Sequence, residues 1–136
     1  MITSPNRLVA VIVGAFYVIA GVTGLFGAAG VSFFSTTGRL LLGVFAVNSF
    51  ASAVDILIGA GLVMAGLATV AASKIVTTIA GTVFLVIGIA GLFVIGTGFN
   101  ILALNGADNV LHLASAVILL AVGLGADRSV KTAITS

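Results

Sequence analysis

The chain has few charged residues and lacks cysteine altogether. Only 6% of its 136 residues are charged, whereas a soluble domain carries about 25%, so water is not its main solvent. The absence of cysteine excludes disulfides, thiolate nucleophiles and thiolate metal sites. With one histidine and three acidic residues, and no motif for catalysis or cofactor binding, we expect neither an enzyme nor a cofactor. The five basic residues are too scattered to form a nucleic-acid surface.

Long hydrophobic stretches take the place of the missing charges. Hydrophobic residues make up 61% of the chain. Four segments have no charged side chain: 8–38, 56–73, 75–107 and 113–126. A helix needs roughly 20 apolar residues to cross the hydrocarbon core of a bilayer. We therefore predict an all-α integral membrane protein with four transmembrane helices in a single domain.

The polar residues between these segments set the predicted limits of the helices. The crossings are predicted at about Arg7–Gly27, Ser49–Ala71, Ile75–Gly96 and Ala107–Gly125. Residues 28–38 indicate a loop, whereas 39–47 are too short to cross and suggest an interfacial or re-entrant turn of helix. Residues 72–74 indicate a tight turn. Residues 1–30 also resemble a signal peptide, but the apolar run exceeds a typical h-region and favours a retained first helix.

The chain contains an internal repeat that is visible at two offsets. At an offset of 67, the matches are Arg7 with Lys74, Gly14 with Gly81, Gly21 with Gly88, and Gly24-Leu-Phe with Gly91-Leu-Phe. At an offset of 57, they are Asn48 with Asn105, Asp55 with His112, and Gly66-Leu with Gly123-Leu. Two crossings restore the starting side, so we predict two parallel-repeat helical hairpins, about 7–72 and about 74–128.

The repeated glycines fall on one face of each odd-numbered helix. They are Gly14, Gly21 and Gly24 in the first helix and Gly81, Gly88 and Gly91 in the third. Small residues allow the close backbone contact that holds membrane helices together. We predict that these glycines are packing surfaces, with a glycine-lined pore as the alternative.

Asp55 and His112 are matched ionisable residues inside the second and fourth crossings. A bare charge at that depth is expensive, so we predict that packing of these two helices joins them as a hydrogen-bonded pair. Ser52 and Asn109, one turn earlier, would complete the network. This arrangement fits a structural clasp between helices, a clasp that also shapes a surface for a partner, or a site that handles protons or cations.

Asn48, Asn105 and Asp108 stand where the second and fourth helices begin. Asparagine and aspartate side chains accept hydrogen bonds from the free backbone amides of a first turn, so we predict that all three are helix caps rather than ligand-binding groups. Asp108 and His112, four residues apart, are compatible with a divalent metal. A single histidine is a weak signal for one, and we expect no metal.

The basic residues predict the orientation of the chain in the membrane. Four of them fall on one side: Arg7, Lys74, Arg128 and Lys131. Only Arg39 falls on the other side. Because basic residues are in excess on the cytoplasmic side of membrane proteins, we predict a plasma-membrane protein with both termini in the cytoplasm. Several aromatic residues gather towards the outer side: Phe33, Phe34, Phe45, Phe50 and Phe99. They are predicted to anchor the protein at the head groups, or alternatively to dock a partner.

Residues 105–113 read Asn-Gly-Ala-Asp-Asn-Val-Leu-His-Leu. They resemble the fourth-helix pattern Asn-x-x-Asp-Asn-x-x-His-Leu of an actinobacterial family of small four-helix membrane proteins, known only as a domain of unknown function. The resemblance covers residues 7–126. The family's second-helix pattern more often reads Asn-x-x-His, where this chain has Ser52 and Asp55, so a role that needs a second histidine is not implied. Since mycobacterial proteins are included, the resemblance suggests attachment to a mammalian-cell-entry (Mce) type lipid importer.

These observations favour a non-catalytic function. We expect an accessory or stabilising subunit of a larger cell-envelope membrane complex. Its partners would be membrane lipid together with that complex or further copies of itself. The alternative is a small autonomous transporter or channel that uses Asp55 and His112. A third hypothesis, a metal-dependent membrane enzyme, would require a bound metal that depends on His112.

Overall fold

The computed structural model describes residues 3–128, which form four α-helices and one small β-hairpin. In chain order the elements are α1 Pro5–Gly27, β1 Arg39–Leu41, β2 Phe45–Val47, α2 Ser49–Ala68, α3 Val70–Val94 and α4 Gly106–Gly125. Each helix is long and apolar enough to cross a membrane. The predicted all-α architecture of four transmembrane-type helices, arranged as two hairpins, is therefore confirmed.

Residues 39–47 form a β-hairpin, so the predicted turn of helix is wrong. Strands β1 and β2 pair antiparallel, with Arg39 opposite Val47 and Leu41 opposite Phe45. Leu42 and Gly43 have φ values of 54° and 70°, the left-handed conformation that a tight hairpin turn requires and that glycine adopts without strain. Pairing within the hairpin satisfies backbone groups that a helix this short would leave exposed at both ends.

The connection between α2 and α3 is a single residue, Thr69, rather than the predicted turn at 72–74. Thr69 has extended backbone angles, and its Oγ1 accepts a hydrogen bond from the Ala72 N–H at 3.0 Å. Threonine is a good N-cap because its hydroxyl satisfies a free amide of the first turn. The helix α3 therefore begins at Val70, five residues before the predicted start at Ile75, and residues 72–74 lie within it.

Glycines bring the two helices of each hairpin into close contact. A methyl group added at Gly14 of α1 would lie 2.7 Å from the Gly59 carbonyl oxygen of α2. One added at Gly81 of α3 would lie 2.9 Å from the Leu120 side chain of α4. All six predicted packing glycines are buried and face atoms of the partner helix or of its side chains. Dispersion contacts between close backbones are the main attraction available in lipid.

The centre of the molecule is an aromatic pair contributed by equivalent positions. Tyr17 of α1 and Phe84 of α3, 67 residues apart, stack with ring centroids 4.4 Å apart. Both are fully buried, as are Leu62 of α2 and Leu119 of α4, which are 57 residues apart. The contacts of the first hairpin thus recur in the second at the offsets seen in the sequence.

The helices α1 and α3 pack against each other, and each also contacts the even-numbered helix of the other hairpin. In contrast, α2 and α4 have almost no direct contact. The expectation that α2 and α4 would approach each other closely is therefore wrong. The reason is that the bulky Tyr17–Phe84 stack and its neighbours hold α1 and α3 at the centre of the bundle.

Candidate functional site

Asparagine caps begin both even-numbered helices. The Asn48 Oδ1 accepts a hydrogen bond from the Ala51 N–H at 2.7 Å, at the start of α2. The Asn105 Oδ1 accepts from the Asp108 N–H at 3.0 Å, and the Asp108 carboxylate accepts from the Asn105 N–H at 2.9 Å. The second arrangement is a reciprocal capping box, which satisfies two backbone amides at once. The structure thus places Asn48 and Asn105 as N-caps and Asp108 as the third residue of α4.

The same two asparagines also join one hairpin to the other. The Asn48 Nδ2 donates to the Ile101 carbonyl at 2.8 Å, and the Asn105 Nδ2 donates to the Val44 carbonyl at 2.8 Å. Val44 and Ile101 are 57 residues apart, as are the two asparagines, so the bonds form an equivalent pair. Sequence reasoning found the caps and missed this reciprocal bridge, because the acceptors are backbone carbonyls of loops.

A further buried amide, Asn100, shapes the connection between α3 and α4. Its Oδ1 accepts from the Leu104 N–H at 2.8 Å and its Nδ2 donates to the Leu104 carbonyl at 2.9 Å. A longer bond of 3.3 Å reaches the Thr36 carbonyl, in the connection between α1 and β1. The sequence signal was a lone asparagine in an apolar loop, which has no counterpart in the first hairpin.

A cavity of about 270 Å³ lies beneath these loops, between α2 and α4. Asp55, Asp108 and His112 all contribute to its lining. Its walls are otherwise mainly apolar and include Phe16 and Ile19 of α1. The β-hairpin covers it through residues 41, 42 and 45–47. The fold therefore brings three ionisable residues to one partly open cavity near the end of the bundle that carries the β-hairpin.

The predicted hydrogen bond between Asp55 and His112 is not formed. Within the described residues Asp55 makes no hydrogen bond, although its side chain lines the same cavity as His112. The His112 ring stacks on Phe84 with centroids 5.4 Å apart, and its Nδ1 is enclosed without a partner. The two residues do not pair because they belong to α2 and α4, which have almost no direct contact. A direct clasp between the helices is therefore wrong as a description of this pair.

Ser52 and Asn109 pack into the seams of their own hairpins instead of completing a network. The Ser52 hydroxyl fills the space left by the missing side chain of Gly24, and the Asn109 amide fills the space beside Gly91. The Ser52 hydroxyl and both polar atoms of the Asn109 amide are buried without a hydrogen-bond partner among the described residues. Each glycine leaves just enough room for the facing polar side chain, which turns that side chain away from the cavity.

Beneath the cavity the bundle is closed by large side chains. Tyr17, Phe84 and His112 form a stacked layer, and the Tyr17 hydroxyl shares a hydrogen bond of 2.8 Å with the Ser115 hydroxyl. Leu62 and Leu119 are seven residues further along α2 and α4 than Asp55 and His112, about 10 Å at 1.5 Å per residue. Both leucines are fully buried. No continuous polar path through the bundle is seen among residues 3–128.

The three ionisable residues do not meet as a metal site. Among the residues that the structure describes, no group of three or more histidine and acidic side chains is close enough to hold one metal ion.

The aromatic residues predicted for the outer interface divide into two groups. Phe33 and Phe34 are about half exposed and cluster with Phe50, with ring centroids 4.7–5.9 Å apart, and Phe99 is 82% exposed. Phe45 instead belongs to β2 and lines the cavity.

A second polar cluster, at the opposite end of the bundle, was not predicted. The Asp127 carboxylate accepts hydrogen bonds from the Ser4 hydroxyl at 2.8 Å and from the Asn6 side-chain amide at 2.7 Å. Desolvation opposes ionisation of Asp127, but these hydrogen bonds and the Lys74 charge together hold its pKa below the usual value. Arg7 donates to the Gly66 carbonyl at 2.8 Å. The start of α1, the residues after α4 and the α2–α3 junction therefore meet at one end. Lys131, which was predicted for the same side, lies outside the described residues.

The four apolar helices define a small protein of the multi-pass membrane type. The family model described as Domain of unknown function (DUF4383) matches residues 7–125, so the chain belongs to that family. Neither a search of curated proteins nor a search of solved structures found a match.

Proposed function

We propose that this protein is a non-catalytic accessory or stabilising subunit of a larger cell-envelope membrane complex. The observation that carries the proposal is the reciprocal bridge of Asn48 and Asn105. It locks the two hairpins into one body, while both of them keep broad apolar faces outside. A body of this kind is suited to packing against other membrane helices.

The exposed faces of α1 and α3 are equivalent in both position and chemistry. Matched pairs at an offset of 67 are Leu8 with Ile75, Ile12 with Ile79, Ile19 with Val86, and Phe26 with Phe93, and all are exposed. Lipid tails and partner helices are equally suitable neighbours for such faces, because a bilayer is as apolar as leucine. The repeat therefore offers two similar surfaces for assembly, either with a larger complex or with further copies of this chain.

We further propose that the protein spans the plasma membrane with both termini in the cytoplasm. The end of the bundle that holds Arg7 and Lys74 also holds Arg128, whereas Arg39 stands at the other end. An excess of Lys and Arg marks cytoplasmic loops, which supports this orientation.

Cysteine-accessibility labelling tests the orientation, since the chain has no cysteine of its own. The Gly98→Cys variant should react with a membrane-impermeant thiol reagent in whole cells, because position 98 lies in the connection between α3 and α4. The Thr3→Cys variant, changed just before α1, should react only after lysis. The opposite labelling pattern would contradict the orientation.

A candidate host complex is an Mce-type lipid importer of the cell envelope. This finer proposal is supported by the resemblance of residues 105–113 to the pattern of actinobacterial proteins, and by the compact four-helix body of residues 3–128, which suits attachment to a larger machine. It is tested separately from the general proposal, since a subunit of any other envelope complex would leave the general proposal intact.

Site-specific photocross-linking in native membranes tests the accessory-subunit proposal. A photoreactive phenylalanine analogue at Ile12 or at Ile79 probes the two equivalent exposed faces, and the same analogue at the exposed Met64 of α2 is a matched control. We expect one partner protein to be captured from α1 or α3 and not from Met64. Cross-links to lipid alone from both faces would contradict the proposal.

A small autonomous transporter or channel is the second candidate, and the shared cavity of Asp55, Asp108 and His112 favours it. Its weakness is the closed layer of Tyr17 and Phe84 beneath the cavity. Proton- or ion-coupled flux into vesicles that contain the purified protein, reduced in the Asp55→Asn variant, would support this function. Wild-type vesicles with no flux would count against it.

A further inference from the structure

We propose that the cavity between α2 and α4 binds a cationic amphiphile, a molecule with a primary ammonium head and a hydrocarbon chain. The proposal goes beyond the subunit function, because it assigns a ligand to polar groups that assembly leaves unused.

The charges around the cavity favour a cation. Asp55 and Asp108 both line it, and no lysine or arginine among the described residues does. Arg39 is exposed on β1 and is not part of the lining. A carboxylate in an apolar site needs a partner, since an unpaired buried charge is strongly unfavourable. The described part of the chain supplies Asp55 with no hydrogen bond, so a positive ligand would provide what the fold does not.

His112 adds a second group without a hydrogen bond to the same space, since Asp108 already accepts one from the Asn105 N–H. The histidine is 8% exposed, lines the cavity and makes no hydrogen bond within the described residues. Because its Nδ1 is enclosed without a partner, a ligand in the cavity would bind the ring through its other nitrogen, Nε2. A primary ammonium has three N–H donors and no acceptor, which complements carboxylate oxygens and an unprotonated ring nitrogen. An ion too small to reach several of these groups at once would not satisfy them.

The size and the opening of the cavity fit an amphiphile. At about 30 Å³ for each water in the liquid, 270 Å³ holds a head group and the first part of a chain, and not a whole lipid. Phe16 and Ile19, on the lining of the cavity, are 47% and 65% exposed. The cavity therefore reaches the outer surface of α1, where a hydrocarbon chain would continue past Phe16 and Ile19 into the lipid while the head remains beside Asp55.

The single histidine allows a direct test. The protein, carrying a purification tag without histidine, is labelled with ¹⁵N-histidine, placed in phosphatidylglycerol nanodiscs and titrated with dodecylamine. We expect a saturable shift of the His112 Nε2 resonance, with half-saturation at a concentration at least tenfold lower than for dodecanol. In Asp55→Asn, half-saturation should rise at least tenfold. The absence of a saturable shift, equal affinity for dodecanol, or an unchanged Asp55→Asn titration would overturn the proposal.

A second pair of variants keeps the test independent of Asp55. Ala20 lines the cavity on α1, so Ala20→Phe should fill it and abolish the shift. Ile12 lies on the exposed part of the same helix, outside the cavity, and Ile12→Phe should bind as the wild type does. Binding that survives Ala20→Phe would overturn the proposal, even if Asp55→Asn failed to fold. If phosphatidylethanolamine nanodiscs produce the shift without dodecylamine, the proposal stands and the amine is that of a membrane lipid.

Discussion

The first hairpin, α1 with α2, and the second, α3 with α4, can be compared position by position. Gly24 meets Ser52 in the first, and Gly91 meets Asn109 in the second. The pairs correspond at offsets of 67 and 57. The glycine seams and the N-cap asparagines are alike, which means that these features build the scaffold and do not distinguish one hairpin from the other.

The hairpins differ where they face the cavity. Asp55 of α2 corresponds to His112 of α4, and Ala20 of α1 corresponds to the larger Ile87 of α3, and all four line the cavity. The hydroxyl of Tyr17 has no equivalent on Phe84. The repeated scaffold thus contains one asymmetric polar cavity near the end that carries the β-hairpin. This asymmetry marks residues that assembly alone does not require.

The largest expected effect comes from breaking a glycine seam. In Gly14→Ala the new methyl group meets the Gly59 backbone, which cannot move without separating α1 from α2. We expect a loss of about 1–3 kcal/mol from overpacking, measured as a fall in thermal stability in detergent. Gly61→Ala, where the added methyl group meets nothing within 4 Å, is the matched control. An equal loss in both variants would contradict the packing role.

The asparagine bridge should show a smaller and unequal effect in the two hairpins. Asn48→Ala removes a cap, worth about 0.5–2 kcal/mol, together with donation to two carbonyls. Asn105→Ala removes a cap and donation to one carbonyl in a more exposed setting. We expect Asn48→Ala to be the more destabilising by about 1 kcal/mol. Chemical unfolding of both variants measures the difference in the free energy of unfolding. A larger loss in Asn105→Ala would show that the number of bridging hydrogen bonds does not determine the destabilisation.

Tyr17→Phe makes the central pair of the two hairpins alike. It removes the bond to Ser115 and leaves that hydroxyl without its partner. Hydrogen bonds between membrane helices average about 0.6 kcal/mol, so we expect a modest loss of thermal stability. A double-mutant cycle with Ser115→Ala isolates the bond, and a coupling near zero would show that the hydroxyls do not interact.

The smallest expected effect is a pH dependence at the end of the bundle that holds Asp127. Hydrogen bonds and Lys74 lower the pKa of Asp127 in the folded protein, against the effect of desolvation. A lowered folded-state pKa contributes stability above the unfolded pKa, and that stability is lost as pH falls through the folded value. Thermal stability of the wild type should therefore decline in acid more than that of Asp127→Asn. Parallel declines would remove Asp127 as the cause.

The membrane-spanning helices were predictable from the sequence, because a helix that crosses lipid must be apolar along its whole length. The four helices, the glycine faces and the caps at Asn48 and Asn105 follow from length, small side chains and capping chemistry. The β-hairpin was not predictable in this way, since a short apolar run such as residues 39–47 is compatible with both a helix and a strand. The separation of Asp55 from His112 depends on the Tyr17–Phe84 stack, a contact between distant segments that no local pattern reveals.

The most direct test of the central claim is recovery of the tagged protein from native membranes in mild detergent, followed by quantitative mass spectrometry. The accessory-subunit proposal predicts a larger membrane complex in fixed stoichiometry, retained when Asp55 is changed to Asn and lost when Gly14→Ala disrupts the body that docks. A protein that is recovered alone, or only with further copies of itself, would contradict the claim and make transport through the cavity the function to test.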